Sequence, residues 1–102
     1  MPYQQTLCQA IAGLNIVRLK YDDDWSDRTF APHAVYQSST GKTLVAGVQI
    51  DNPAEPWERL EPRNFDLSKI RSVTITGKTF SRHPRFNPLD KRYARGFICR
   101  VQ

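Results

Sequence analysis

Apolar positions along the chain change their period from segment to segment, and each change predicts an element. Between Gln4 and Leu14, Leu7, Ala10, Ile11 and Leu14 recur at three- and four-residue spacing, which places them on one face of a short helix. Gly13 suits its end. Val17, Leu19 and Tyr21 then alternate with Arg18 and Lys20, as a half-buried strand requires. Asp22 to Asp27, with Trp25 inside it, reads as a loop. A second alternating stretch, Arg28 to Tyr36, contains Pro32, which cannot donate to a ladder and so marks an edge, a bulge or a bend. Ser38-Ser39-Thr40-Gly41-Lys42 forms a polar turn into a strand from Thr43 to Ile50, with Leu44, Ala46, Val48 and Ile50 on one side. These two strands are expected to form a hairpin.

Beyond them the signals shorten. Asp51 to Pro56 is a proline-bearing loop, Trp57 to Leu60 a further short strand, and Phe65 to Ile70 a connection with one helical turn. Arg71 to Thr76 forms a strand built on Val73 and Ile75 and ended by Gly77, and Phe97, Cys99 and Val101 alternate as a last strand. Short strands with closely spaced turns predict a mainly β fold, a small antiparallel barrel or sandwich capped by the N-terminal helix. Strands this short are expected to bury one face only, which argues against a parallel, doubly wound sheet.

Composition narrows the class. A chain of 102 residues, 39% apolar and 25% charged, makes one ordinary globular domain spanning 1–102. The start, Met1-Pro2-Tyr3-Gln4-Gln5, has no secretory pattern, and no apolar run is long enough to cross a membrane as a helix, so a cytoplasmic location without membrane partners is expected. Cys8 and Cys99 lie at opposite ends with no close-spaced partner; they read as buried thiols, not as a disulfide framework or a zinc knuckle. The net charge of +5 is not spread evenly, because Lys/Arg and Asp/Glu cancel over residues 1–80. The excess lies in 81–102, where Arg82, Arg85, Lys91, Arg92, Arg95 and Arg100 face Asp90 alone. A localised basic segment attracts polyanions, which brings nucleic acid into the list of partners.

Motifs for chemistry are weak. Gly41-Lys42-Thr43 has the ending of a phosphate-binding loop, but Tyr36 stands where its first glycine belongs and a strand follows instead of a helix. Asp22-Asp23-Asp24 lacks the alternating ligands of a calcium loop, so no metal or other cofactor is expected. No nucleophile motif is present, and the reading is of a non-enzyme.

The order of segments from Leu7 to Phe80, about three-quarters of the chain, resembles the WYL domain. The resemblance is carried by Ile16-Val17-Arg18-Leu19-Lys20-Tyr21, by Arg28-Thr29-Phe30-Ala31-Pro32-His33, by Thr43-Leu44-Val45-Ala46-Gly47, and by Arg63-Asn64-Phe65-Asp66-Leu67-Ser68-Lys69-Ile70. It implies a small Sm-like β-barrel, with residues 81–102 as a basic C-terminal extension. It also implies a sensory or regulatory module, of the kind found in bacterial transcription regulators and phage-defence proteins, that binds ligands or nucleic acid in a basic groove. The Trp-Tyr pair that names the family is replaced here by Thr43-Leu44-Val45, which removes those rings from base stacking. No helix-turn-helix region accompanies the segment.

Arg28 and Arg63 fall in the matching segments and are the leading ligand-binding candidates, two guanidinium forks converging on an anion such as single-stranded nucleic acid or a nucleotide-like ligand. The alternative is a structural ion pair for each, with Asp27, Glu61 or Asp66. His33 either joins that groove or is satisfied by backbone, while Arg59, Lys69 and Arg71 extend a basic rim. In the tail, Arg92 and Tyr93 belong to an interleaving of charge and rings suited to single strands, unless Phe86, Tyr93 and Phe97 instead dock on the barrel. A protein partner or homo-oligomer anchored by Trp25 or Trp57 is the competing function.

Overall fold

The computed structural model describes residues 3–51, 62–84 and 86–101. Helix α1, Gln4–Ala12, buries Leu7, Ala10 and Ile11 as its spacing requires. The left-handed residue that reverses the chain is Leu14 (φ 53°), one past Gly13, and Leu14 is partly exposed there. Six antiparallel strands follow: β1 Asn15–Tyr21, β2 Arg28–Gln37, β3 Thr43–Asp51, β4 Pro62–Asp66, β5 Ile70–Thr79 and β6 Phe97–Arg100. Their order is β4-β3-β2-β1-β5, with β6 paired to β2 off that path.

The fold is therefore mainly β with one helix, but the sheet is not closed into a barrel: β4 and β5 are its two edges. Only the 3-10 turn Leu67–Lys69 separates them in sequence. The sheet must therefore curl until its edges come near each other, and Tyr21 spans that end, its hydroxyl accepting from the Asp66 N–H at 3.2 Å. The helical turn expected between Phe65 and Ile70 is this one, whereas Phe65 and Asp66 of that expected connection belong to β4. The strand expected at Trp57 to Leu60 lies outside the described residues.

Two departures have a common cause. β2 is buried at every position from Phe30 to Tyr36, and β3 is buried on both sides, contrary to the expectation that one face would be wet. The inner face holds Val35, Val45, Phe30 and Phe65 over α1. The outer face carries Tyr36 and Ala46 under Tyr93, Phe86 and Phe97 of the C-terminal segment, so the tail acts as a second layer. The other departure is in β5, which runs through Gly77 to Thr79. A register shift opposite Asn15 and Val17 accommodates the glycine as a bulge instead of a stop.

Pro32 marks a bulge, one of the three expected alternatives: the β2–β3 register shifts between Pro32 and Ala34. Beyond the bulge β2 leaves β1 and pairs with β6, Ala34 opposite Arg100 and Val35 opposite Cys99. Opposite Pro32 stands Gly47, and a Cβ there would collide with the Ala31 carbonyl oxygen and the Phe30 ring. The hairpin closes through Gly41 in the left-handed region (φ 83°).

Cys8 and Cys99 are not thiols. They form a disulfide with Cα atoms 5.8 Å apart, joining α1 to β6. Linear distance hid the pairing, because β6 returns along β2 to the sheet under the helix.

Candidate functional site

The bulge at Pro32 aims His33 at the tail. Its ring is buried, with Nδ1 2.9 Å from the Ala31 carbonyl oxygen and Nε2 2.9 Å from the backbone nitrogen of His83. A backbone N–H can only donate, so Nε2 accepts and the ring proton sits on Nδ1, donated to Ala31. This is the neutral imidazole. Burial pushes its pKa below the usual value; the bond to Ala31 opposes that, and nearby His83 and Arg82 add to the lowering.

Rings continue the attachment. Phe80 and Phe86 lie 5.0 and 5.5 Å from His33, and Tyr93 packs edge-on against Tyr36 and tilted against Phe97, each at 4.7 Å. Arginines cover the outer sides: Arg82 over Phe86, Arg92 over Tyr93 and Arg100 over Phe97, at 5.3, 6.0 and 5.5 Å. The aromatic residues of the tail thus dock on the sheet, and their arginines stack on them.

Between this layer and the β3–β4 edge is a cleft of about 90 Å³. Gly47, Arg63 and Asn64 form one wall, and His83, Arg92 and Tyr93 belong to the other. The ladder places them: Arg63 is opposite Gly47 and Asn64 opposite Ala46. Asn64 is oriented by the Tyr36 hydroxyl, which donates to its Oδ1 at 2.7 Å. Arg92 is held by Asp90, whose Oδ1 accepts from the Arg92 N–H at 3.0 Å and from Nε at 3.2 Å. Those same bonds, the backbone one first, hold the Asp90 carboxyl below its ordinary pKa. Arg63, Arg92 and the Asn64 amide offer hydrogen bonds, two of them charge-assisted, to phosphate or carboxylate oxygens, and the one carboxylate among the described lining residues, Asp90, is engaged by Arg92.

Of the residues expected to bind, Arg63, Arg92, Tyr93 and His33 come together here. Tyr93 is only 8% exposed, so it shapes the wall without offering a face to a base, and both ring nitrogens of His33 are engaged. Arg28 is elsewhere. Its Nε and NH2 grip the two oxygens of Asp24 at 2.7 and 3.0 Å, NH1 donates to Gln49 at 2.9 Å, and its guanidinium lies over Phe65. That bond to Arg28 is the main reason the Asp24 carboxyl titrates low. Lys69 is exposed on the 3-10 turn and does not line the cleft. Arg59 and Trp57 lie outside the described residues. The reading of residue types alone missed Asn64, Asn87 and Asp90. Nothing local distinguishes Asn64; only its register opposite Ala46 brings it to the wall.

Comparison of the chain with protein-family models, with curated proteins and with solved structures gave no match.

Proposed function

We propose that the chain is a small binding module whose cleft holds an oxyanion. The observation carrying this is the convergence of Arg63 from β4 and Arg92 from the tail on one cleft with Asn64 and His83. Within that class, the reading is a WYL-like sensory or regulatory domain that takes the phosphate of single-stranded nucleic acid or of a nucleotide-like ligand. The order of its motif-bearing segments supports this, as does the passage from β4 to β5 in three residues, which suits an opened form of an Sm-like sheet. Because Arg92 and Tyr93 belong to the tail, the tail is part of the site. Tyr93 and Phe97 are turned into the sheet, so the ligand is held by its phosphate more than read by its base.

Fluorescence anisotropy with a labelled single-stranded oligonucleotide and a labelled mononucleotide, across a range of salt, tests the reading. Binding of both assigns the cleft to phosphate itself, and binding of the oligonucleotide alone assigns it to a strand. Arg63→Ala should weaken binding and lower the salt slope by about 0.7 per lost single-strand phosphate contact. Absence of binding at low salt, or binding unchanged in an Arg63→Ala/Arg92→Ala variant, refutes it.

A second reading has its own observation. Trp25, at the tip of the β1–β2 loop, is 96% exposed, far more than an indole ordinarily is without a partner. Under that reading Trp25 anchors a partner protein or a second copy, and sedimentation of wild type against Trp25→Ala checks the self-association arm.

A further inference from the structure

The Cys8–Cys99 disulfide sits at the border of a second cleft, of about 280 Å³, which shares no lining residue with the oxyanion cleft. Ile11, Ala12 and Leu14 line it beside both cysteines as its apolar part, and Arg82 and Arg100 supply its charge; among the described residues the lining holds no carboxylate. Each cation is held in place. Arg82 donates to the Phe86 carbonyl oxygen at 3.3 Å and Arg100 to that of Val101 at 3.1 Å, while their guanidinium groups rest on Phe86 and Phe97. Both cysteines are only half-buried. An open, electropositive surrounding is what makes a sulfur reactive, since it stabilises the thiolate that leaves and draws in an anionic thiolate that attacks.

We propose that Cys8–Cys99 is a thiol–disulfide exchange site for small thiols bearing carboxylates, and that its opening releases the C-terminal strand. The incoming thiolate bonds to one cysteine sulfur as the S–S bond breaks, and the electron pair leaves on the other cysteine, which takes a proton from water. A second thiol, as its thiolate, attacks the small-thiol sulfur of the mixed disulfide; that S–S bond breaks and the electron pair leaves on the cysteine sulfur, which takes a proton from water. Two thiols are thereby oxidised to one small disulfide and the two cysteines are reduced. The clasp spans 91 residues of chain and ties α1 to a strand of four residues. Without it β6 keeps three register pairs with β2, the bonds from the Val101 N–H to the His33 carbonyl oxygen and from the Gln37 N–H to the Gly96 carbonyl oxygen, the buried Val101 side chain and the packing of Phe97 on Tyr93. Such a short pairing frays, whereas β1, paired on both sides, stays protected. The inference stands on the clasp and is independent of the oxyanion reading.

The oxidised full chain is exposed to glutathione, 2-mercaptoethanol and cysteamine at matched thiolate concentration, and thiol release is followed by acid quench, alkylation and mass spectrometry. At low ionic strength the anionic thiol should react at least about tenfold faster than the cationic one, with the difference shrinking as salt rises. An Arg82→Ala/Arg100→Ala variant should level the rates, and the salt dependence of the wild type gives the same reading without any substitution. Amides of Phe97–Val101 should exchange faster after reduction while Val17 and Leu19 remain protected. Equal rates for the three thiols at low salt, reduction that occurs only in denaturant, or unchanged protection of residues 97–101 overturns the proposal.

Discussion

Replacing both cysteines by serine removes the one covalent link between the ends of the chain, and its cost follows from how much chain the link closes. With a separation of 91 residues, the chain-entropy relation gives about 4.6 kcal/mol of stabilisation at ~25 °C. A domain of this length has about 5–15 kcal/mol in all, so the cross-link is a large share of the total. Native disulfides in small domains cost about 2–5 kcal/mol when removed, which brackets the figure. With a urea slope of about 2 kcal/mol/M, Cys8→Ser/Cys99→Ser should lower the unfolding midpoint by about 2 M. The slope itself should rise, because the unfolded chain is no longer held in a loop. Urea titrations of the oxidised wild type and the variant, followed by tryptophan fluorescence and far-UV circular dichroism, measure both. A midpoint shift below about 0.5 M with an unchanged slope would show that the link does not restrict the unfolded ensemble, and the loop-closure reasoning would fail.

Other consequences are separable. His33 has a folded pKa below its unfolded value near 6.5, so the unfolded state binds the extra proton first; its contribution is fully present above pH 6.5 and is lost as pH falls from there through the lowered folded value. Urea midpoints should fall accordingly as pH is lowered from 7.5 to 5, and a flat profile would contradict the lowering of the His33 pKa by burial. The low-titrating Asp24 and Asp66 act in a different window: their contribution is present above pH 3.8 and declines as pH falls through their lowered folded values. Gly47→Ala forces a methyl group onto the Ala31 backbone and should cost at least about 1–3 kcal/mol in urea titration; a loss under 0.5 kcal/mol would mean that β2 and β3 separate there without difficulty. Arg28→Ala should destabilise by about 1–3 kcal/mol while leaving anion binding intact, whereas Arg63→Ala should weaken anion binding. A binding loss in Arg28→Ala with unchanged stability would return Arg28 to the site.

What the sequence made legible is local, and what it hid is long-range. The helix face at Leu7, Ala10 and Ile11, the alternation at Val17 and Leu19, the turn through Gly41 and the bulge at Pro32 all follow from periods and backbone rules that act within a few residues. β4 failed that test because Pro62–Asp66 is short and stands beside proline; it is a strand because β3 offers it an edge. The disulfide and the buried outer face of β2 both depend on where residues 97–101 return, and a charge count cannot supply that information.

The same dependence explains the outcome for the arginines. Arg28 and Arg63 share a residue type and a motif order, but chemistry is decided by what stands opposite. Arg28 enters its strand after the Asp22–Asp27 loop, which places Asp24 where a carboxylate can take both ends of the fork. Arg63 stands opposite Gly47 on the β3–β4 edge, and the tail docked on the sheet brings Arg92 to the same cleft. The second arginine of the proposed anion site thus comes from the basic segment, and its charge would act there through placement. Arg92 is itself exposed, so what distinguishes it from the other arginines of the segment is its fixed position, held by Asp90 at the wall of the cleft, and its attraction for a phosphate is screened by salt like theirs.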